Sequence, residues 1–244
     1  MRIAVFGASG RVGTRLVEAI LADPGLELAA AHVSPGSEWI GRQVGHTVIE
    51  YRPAEMAINA HCDAIIDFST PAGSLYLQRM AGRRSVPIVI GTTGFAAGQL
   101  AEIDAAARHR PILMGANFAL GFIAFARSTQ QFARAHPGAL VTIEETYHQR
   151  KKRAPSGTSL LLARLAREAQ GGSGGATPPE PEIRIHRLGD TVGINEVRFD
   201  LGDSEARFAF TVQTVAAYAR GALAAAIKLV GAGVGPGRYD AFDI

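Results

Sequence analysis

Arg2-Ile3-Ala4-Val5-Phe6-Gly7-Ala8-Ser9-Gly10-Arg11-Val12-Gly13 is the stretch on which the reading of this chain turns. Arg2 to Phe6 reads as a short buried strand. A glycine-rich turn follows, and Thr14 to Leu21 carries helical spacing with Leu16, Val17 and Ile20 on one face. Strand, glycine turn and helix in that order form the setting in which a dinucleotide pyrophosphate meets a helix N-terminus. Gly7 permits the tight turn, Gly10 lets the backbone approach a pyrophosphate, and Gly13 lets the helix pack close to the strand. Without a ligand the same pattern is only a glycine-rich turn, so its neighbours carry the decision.

The second strand runs from Leu26 to Val33. Dinucleotide sites often place an acidic residue at this strand's end to bond the adenosine ribose hydroxyls. Here the end is His32-Val33-Ser34, without a carboxylate. That removes the usual obstacle to a 2′-phosphate, which Arg11, His32 and Ser34 could contact. The expected cofactor is NADPH or NADH, with NADPH favoured. Ala64 to Phe68, Val86 to Ile90 and Ile112 to Met114 are three further apolar strands, and Gly73 to Arg83 is helical. The strands end in Ser69-Thr70-Pro71, Gly91-Thr92-Thr93-Gly94-Phe95 and Ala116-Asn117-Phe118. Alternating strands and helices imply a Rossmann-type, doubly wound parallel sheet, whose ligands bind outside the carboxyl ends of the strands.

The second half changes character. Phe122 to Ala135 reads as a helix, Leu140 to Thr146 as a strand and Ser159 to Gln170 as a helix. Gln170 to Pro181 is rich in Gly, Pro and Ser and reads as a loop. Glu182 to Leu188, Gly193 to Asp200 and Ala206 to Val215 are strand-like, with turn signals at Gly189-Asp190 and Gly202-Asp203. Strands at hairpin distance imply a mixed or antiparallel sheet in a second, α+β domain. Ala216 to Val230 is a final helix, and the tail from Tyr239 to Ile244 is expected to return to the first domain. The expected division is a dinucleotide-binding domain of residues 1–121 plus 216–244, and a substrate-binding and oligomerisation domain of residues 122–215.

Between that strand and helix lies Glu145-Thr146-Tyr147-His148-Gln149-Arg150-Lys151, followed by Ala154-Pro155-Ser156-Gly157-Thr158. A helix N-terminus offers backbone N–H groups and a partial positive charge. With Lys151, His148 and the hydroxyls of Ser156 and Thr158, it makes a pocket suited to a carboxylate. The plainer reading is a capped helix behind a solvated basic loop.

Bulk properties narrow the function. The 244 residues are 47% hydrophobic and 19% charged, ordinary for a globular protein with a core. A net charge of +3, spread along the chain, does not argue for nucleic acid. A single cysteine, Cys62, excludes an intrachain disulfide, and no Cys/His cluster has zinc spacing, so no metal site is expected. Met1 leads directly into the first strand without a signal-peptide pattern, and no apolar run would span a membrane. A cytoplasmic location is expected.

These motifs resemble those of the dihydrodipicolinate reductase family over nearly the whole chain. The resemblance rests on the Gly7–Gly13 turn, Asp67-Phe68-Ser69-Thr70-Pro71, Gly91-Thr92-Thr93-Gly94-Phe95, Ala116-Asn117-Phe118, and Lys151 with Ala154-Pro155-Ser156-Gly157-Thr158. Ala219-Arg220-Gly221-Ala222-Leu223 also fits. It implies a homotetramer in which the nicotinamide reduces a cyclic unsaturated imine dicarboxylate of lysine and diaminopimelate biosynthesis and a protein acid then protonates the resulting enamine. By position it implies cofactor contacts from Gly7, Ala8, Ser9, Gly10, Arg11, Val12, Phe68, Gly91, Thr92, Thr93, Ala116, Asn117 and Phe118. His148, Lys151, Ser156, Gly157 and Thr158 would hold the substrate, with Lys151 also catalytic.

Three positions depart from the family pattern. The first of its two consecutive histidines is Tyr147 here, the aspartate before Ala-Pro-Ser-Gly-Thr is Arg153, and its Gly-x-His reads Gly193-Ile194-Asn195. Tyr147 is expected to replace the histidine as proton donor, its pKa lowered by Lys151 and Arg150. The departures also leave open a related imine reductase with another substrate, or a nucleotide-binding sensor without turnover. Tyr147 and Lys151 match the Tyr-x-x-x-Lys pair of short-chain dehydrogenases too. That pair lies within a long helix, whereas Pro155 follows here and pushes the preceding residue out of helical geometry.

Overall fold

The computed structural model describes residues 1–54, 61–81, 85–171 and 178–243. The chain forms two compact units, one of residues up to Ala119 together with those from Val215 onward, the other of Leu120–Thr214. The expected helix end at Arg83, residues 172–177 of the expected loop and the tail's Ile244 lie outside the described residues.

In the first unit β1 (Arg2–Phe6), α1 (Arg11–Ala22), β2 (Glu27–Val33) and β3 (Tyr51–Pro53) are followed by β4 (Ala64–Asp67) and α2 (Pro71–Ala81). Next come β5 (Ile88–Ile90), α3 (Ala97–Ala107) and β6 (Pro111–Met114). In the second unit lie α4 (Phe122–Ala135), β7 (Leu140–Tyr147), α5 (Gly157–Gly171), β8 (Glu182–Arg187), β9 (Gly193–Asp200) and β10 (Glu205–Val212). The chain then rejoins the first unit with α6 (Ala216–Gly231) and β11 (Gly237–Asp240).

The first unit carries a seven-stranded sheet in the order β11-β6-β5-β4-β1-β2-β3. Each pairing in it is parallel. Alternate residues of each strand face opposite layers, as the period of two demands. Ile3, Val5, Ile66 and Leu113 pack with Leu16, Val17 and Ile20 of α1 and Ala219, Ala222 and Ala226 of α6. Ala4, Phe6, Ile65 and Ile90 pack on the other side with Leu75 and Leu77 of α2 and Ile103 of α3. This is the doubly wound sheet that the strand–helix alternation implies. Strand order reverses between β1 and β4, the switch point at which such sheets bind ligands. Register places Phe6 beside Asp67, Asp67 beside Ile90 and Ile90 beside Met114. The loops that follow therefore leave one common edge.

In the second unit a four-stranded sheet has the order β10-β9-β7-β8. β7 pairs parallel with β8 and antiparallel with β9, and β9 pairs antiparallel with β10. The short link from β8 to β9 is thus not a hairpin, because β7 lies between them. Val141, Ile143, Val197 and Phe199 turn inward. Phe132 of α4 meets Phe199 and Phe208 at ring-centroid distances of 4.8 and 5.2 Å. The opposite face alternates sign: Arg198 binds Glu144 at 2.8 Å, while Arg207 lies 3.8 Å from Glu196.

Candidate active-site elements in the two units

At the carboxyl edge of the first sheet, Gly7 has φ +76°, and a Cβ there would lie 2.4 Å from the Phe68 carbonyl oxygen. A Cβ on Gly13 would lie 2.0 Å from the Gly7 carbonyl oxygen. Only glycines allow this turn and helix to close on one another. Gly10 caps α1 in an extended conformation, without a side-chain bond to the helix and with no acidic residue in the first turn. The first N–H groups of α1 are therefore left for an anion. Gly10 and Arg11 are exposed and Val12 is half-buried, while Ala8 and Ser9 line the turn behind them.

Two aromatic rings stand beside that turn. Phe68 and Phe118 meet edge to face at 6.0 Å. The Phe68 ring lies so close to Gly91 that a Cβ there would sit 2.2 Å from it. Thr92 is buried and Thr93 exposed; Asn117 is buried, its Oδ1 accepting the Ala119 N–H at 3.0 Å, and Ala116 is half-buried. Behind these loops sits Asp67, fully enclosed. Its Oδ1 accepts the Ser69 N–H at 2.9 Å, the Ser69 hydroxyl at 2.5 Å and the Thr92 hydroxyl at 3.4 Å. Burial pushes the Asp67 carboxyl above its usual range, against the pull of these donors.

Of the residues expected to meet a 2′-phosphate, Arg11 and Ser34 are exposed. His32 is built into the sheet instead: it is 3% exposed and stacks on Phe6 at 4.4 Å. Burial lowers its pKa, so its ring is neutral and a poor partner for a phosphate. Arg52, exposed on β3 directly opposite His32, is a cation at this edge that the sequence reading missed, because β3 is only three residues long.

In the second unit the strand β7 delivers Glu145 and Tyr147 to the same inward face. The Tyr147 hydroxyl donates to Asn195 Oδ1 at 3.1 Å, and Asn195 Nδ2 donates to the Ser159 hydroxyl at 3.1 Å. Ser159 Oγ and the Ser156 N–H both donate to Glu145 Oε2, at 2.6 and 2.8 Å. Arg187 holds the other oxygen, Oε1, at 2.9 Å. Burial alone would raise the Glu145 carboxyl, but the bonds from Ser156, Ser159 and Arg187 together hold it below its usual range. Ser156 Oγ accepts the Ser159 N–H at 3.2 Å and so caps α5, which places Gly157 and Thr158 in the first helical turn.

Lys151 Nζ rests 4.5 Å from the centroid of the Tyr147 ring, and the Arg187 guanidinium lies 5.9 Å from it. His148 is half-buried, and its carbonyl accepts the Lys151 N–H at 3.0 Å. Arg150 points outward to the exposed Asp190 at 3.1 Å. The expected lowering of the Tyr147 pKa is not what this setting produces. Burial, the largest influence, raises it, and the bonds with Ser156, Thr158 and Asn195 only partly offset that. The sequence reading gave no part to Glu145, Ser159 or Arg187. The only signal for Glu145 was its place two residues before Tyr147, on the same strand face.

An uncapped glycine turn at the switch point of a parallel sheet, followed in the chain by a unit with a lysine-bearing loop at a helix N-terminus, defines a nucleotide-dependent enzyme of the dehydrogenase type. Residues 1–118 match the family described as dihydrodipicolinate reductase, N-terminus, and residues 121–244 match dihydrodipicolinate reductase, C-terminus. The chain belongs to the dihydrodipicolinate reductase family of NAD(P)H-dependent oxidoreductases. It is 33% identical to a 4-hydroxy-tetrahydrodipicolinate reductase of Ruegeria pomeroyi, over 99% of this chain and 97% of the relative. It is 34% identical to one of Rhizobium rhizogenes, over 100% and 96% respectively. Among solved structures, a dipicolinate-bound dihydrodipicolinate reductase from Paenisporosarcina shares the fold with a TM-score of 0.74 at 19% identity, covering 100% of this chain and 98% of that one. A myo-inositol dehydrogenase from Corynebacterium glutamicum has a TM-score of 0.63 at 17% identity, covering 96% and 90%.

Proposed function

We propose that this protein reduces 4-hydroxy-tetrahydrodipicolinate, a cyclic imine dicarboxylate, to tetrahydrodipicolinate in lysine and diaminopimelate biosynthesis; the 4-hydroxyl leaves as water to give the conjugated unsaturated imine, which takes one hydride and one proton. The observation that carries the reading is the retained anion-binding set, Lys151 with Ser156-Gly157-Thr158 at the start of α5, in a chain that matches its relatives from end to end. When bound, the reduced nicotinamide supplies the hydride. Gly7, Ala8, Ser9, Gly10, Arg11 and Val12 receive its pyrophosphate, and Phe68, Gly91, Thr92, Thr93, Ala116, Asn117 and Phe118 flank the remainder. Arg11 at the start of α1 and Ser34 just after β2, both exposed, favour NADPH over NADH.

Within the second unit, His148, Gly157 and Thr158 orient the substrate carboxylates, with Ser156 setting the helix start. Lys151 is the catalytic residue, and Tyr147, the other residue expected to be catalytic, positions it. We assign the proton that completes the reduction to the Lys151 ammonium. The Tyr147 phenol, kept protonated by burial, seats that ammonium on its ring face through a cation–π contact. A second reading, a related reductase for another cyclic imine carboxylate, draws on the paired departures Tyr147 and Asn195, which bond to each other. The protein is proposed to act in the cytoplasm as a homotetramer, assembled through the charge-alternating face of the second sheet. Light scattering after size-exclusion chromatography tests the assembly. The test of function is loss of reduced-nicotinamide absorbance when purified protein meets enzymatically generated substrate, with NADPH and NADH in parallel.

A further inference from the structure

The loop from His148 to Pro155 contains the run Arg150-Lys151-Lys152-Arg153, four adjacent cations with no regular structure of their own. Like charges in sequence repel, and a basic loop of this kind is ordinarily a solvated, mobile face. Here it is pinned from beneath by Arg187. The parallel register of β7 and β8 places Arg187 directly beside Tyr147. Its Nε donates to the Lys151 and Lys152 carbonyls, each at 3.2 Å. Its Nη2 donates to the Lys152 carbonyl at 2.6 Å and the Ala154 carbonyl at 3.1 Å. The same nitrogen meets Glu145 Oε1 at 2.9 Å, with the Arg187 side chain 5% exposed and that of Glu145 0% exposed.

Glu145 completes the clamp from the other end. Its Oε2 takes the Ser156 N–H and the Ser159 hydroxyl, so one carboxylate fixes the first turn of α5 while its partner fixes the loop leading to it. A rigid guanidinium fork suits this task, since it serves several acceptors at once in one plane. We infer that Glu145 and Arg187 are positioning residues: a buried ion pair that holds Lys151 and the Ser156–Thr158 turn in one fixed arrangement before any ligand arrives. Neither residue needs to touch the substrate. The pair replaces the ordering that a flexible cationic loop would otherwise undergo on binding, a cost that weakens affinity. This assignment deepens the function proposed above and rests on it for its effect on the substrate.

Two readouts separate the clamp from the function it serves. Arg187→Lys keeps the charge but presents a single nitrogen, which cannot reach all three carbonyls together. In the folded variant, checked by circular dichroism, trypsin should cut after Lys151 and Lys152 at least about tenfold faster, because their carbonyls are released. Binding of pyridine-2,6-dicarboxylate, a stable dicarboxylate probe, should weaken by about tenfold, and kcat/KM for the substrate should fall by at least as much, because Lys151 is displaced both as anchor and as proton donor. NADPH affinity should be unchanged. Glu145→Gln, which keeps shape and loses charge, should show the same pattern more weakly. The inference is overturned if either folded variant is cut no faster than wild type, or if the probe binds it as tightly. Failure of the wild-type protein to bind the probe at all would count against the proposed function, while the tryptic comparison would still judge the clamp.

Discussion

Asp67 in the first unit and Glu145 in the second are both carboxylates with no exposed surface, both set at or near the end of a strand, and both bonded to serine hydroxyls. Their protonation is nevertheless pushed in opposite directions. Asp67 has amide and hydroxyl donors but no cation paired to it among the described residues, and burial prevails. Glu145 has Arg187, and the anion prevails. Hydroxyls can rotate to serve either a neutral acid or a carboxylate, whereas an arginine can serve only the carboxylate. The chemistry beside each acid fits this difference. A dinucleotide brings its own negative charge to the loops around Asp67, and an acid whose ionisation burial disfavours adds less repulsion there. The basic loop around Glu145 needs a fixed anion to hold it together.

The largest expected effect comes from breaking the charged pair. Glu145→Ala leaves Arg187 enclosed and uncompensated, and should lower stability by about 3–5 kcal/mol in urea unfolding, with loss of the loop's resistance to trypsin. Acid should reach the same pair without mutation. Glu145 has a folded pKa below its ordinary 4.5, so its stabilisation is present above that value and is lost as pH falls through the lower, folded value. Melting curves below about pH 4 should therefore fall more steeply for wild type than for Glu145→Gln. Asp67 should behave in the opposite sense. Its folded pKa lies above the ordinary 3.8, so wild type loses stability as pH rises from there towards the folded value. Asp67→Asn keeps the acceptor oxygen and should melt no lower than wild type at neutral pH, its relative advantage growing with pH. A markedly lower melting temperature for this variant at pH 7 would mean that Asp67 is ionised and the contrast is false. The smallest effect belongs to Tyr147→Phe. A phenol whose pKa is raised is a poor acid near neutrality, so turnover should stay within a few-fold of wild type. A loss of about a hundredfold would return the proton-donor role to Tyr147.

The two units were not equally legible in the sequence. The Rossmann-type sheet announced itself because each of its longer strands is an apolar run closed by a glycine or hydroxyl cluster, and because Leu16, Val17 and Ile20 mark the face of α1. β3 was missed for want of length, and α3 for want of an apolar stripe, with only Ile103 and Ala107 buried. In the second unit the strands were visible but not their order. Hairpin spacing suggested neighbours, whereas β7 inserts between β8 and β9, a long-range choice that no local pattern encodes. The same holds for the candidate site. Lys151 and Ser156-Gly157-Thr158 are adjacent in sequence and could be read. Arg187, 42 positions from Glu145, meets it only through the β7–β8 pairing. Whether a histidine near a strand end can meet a 2′-phosphate, as was expected of His32, depends likewise on what the sheet stacks against it, here Phe6.

The most direct test of the central claim is a paired assay of wild type and Lys151→Ala with NADPH and 4-hydroxy-tetrahydrodipicolinate generated in place. Wild type should oxidise the cofactor only when the substrate is supplied. Lys151→Ala should bind NADPH as tightly yet lose at least about a hundredfold in kcat/KM. Absence of substrate-dependent oxidation in wild type, with either NADPH or NADH, would contradict the account.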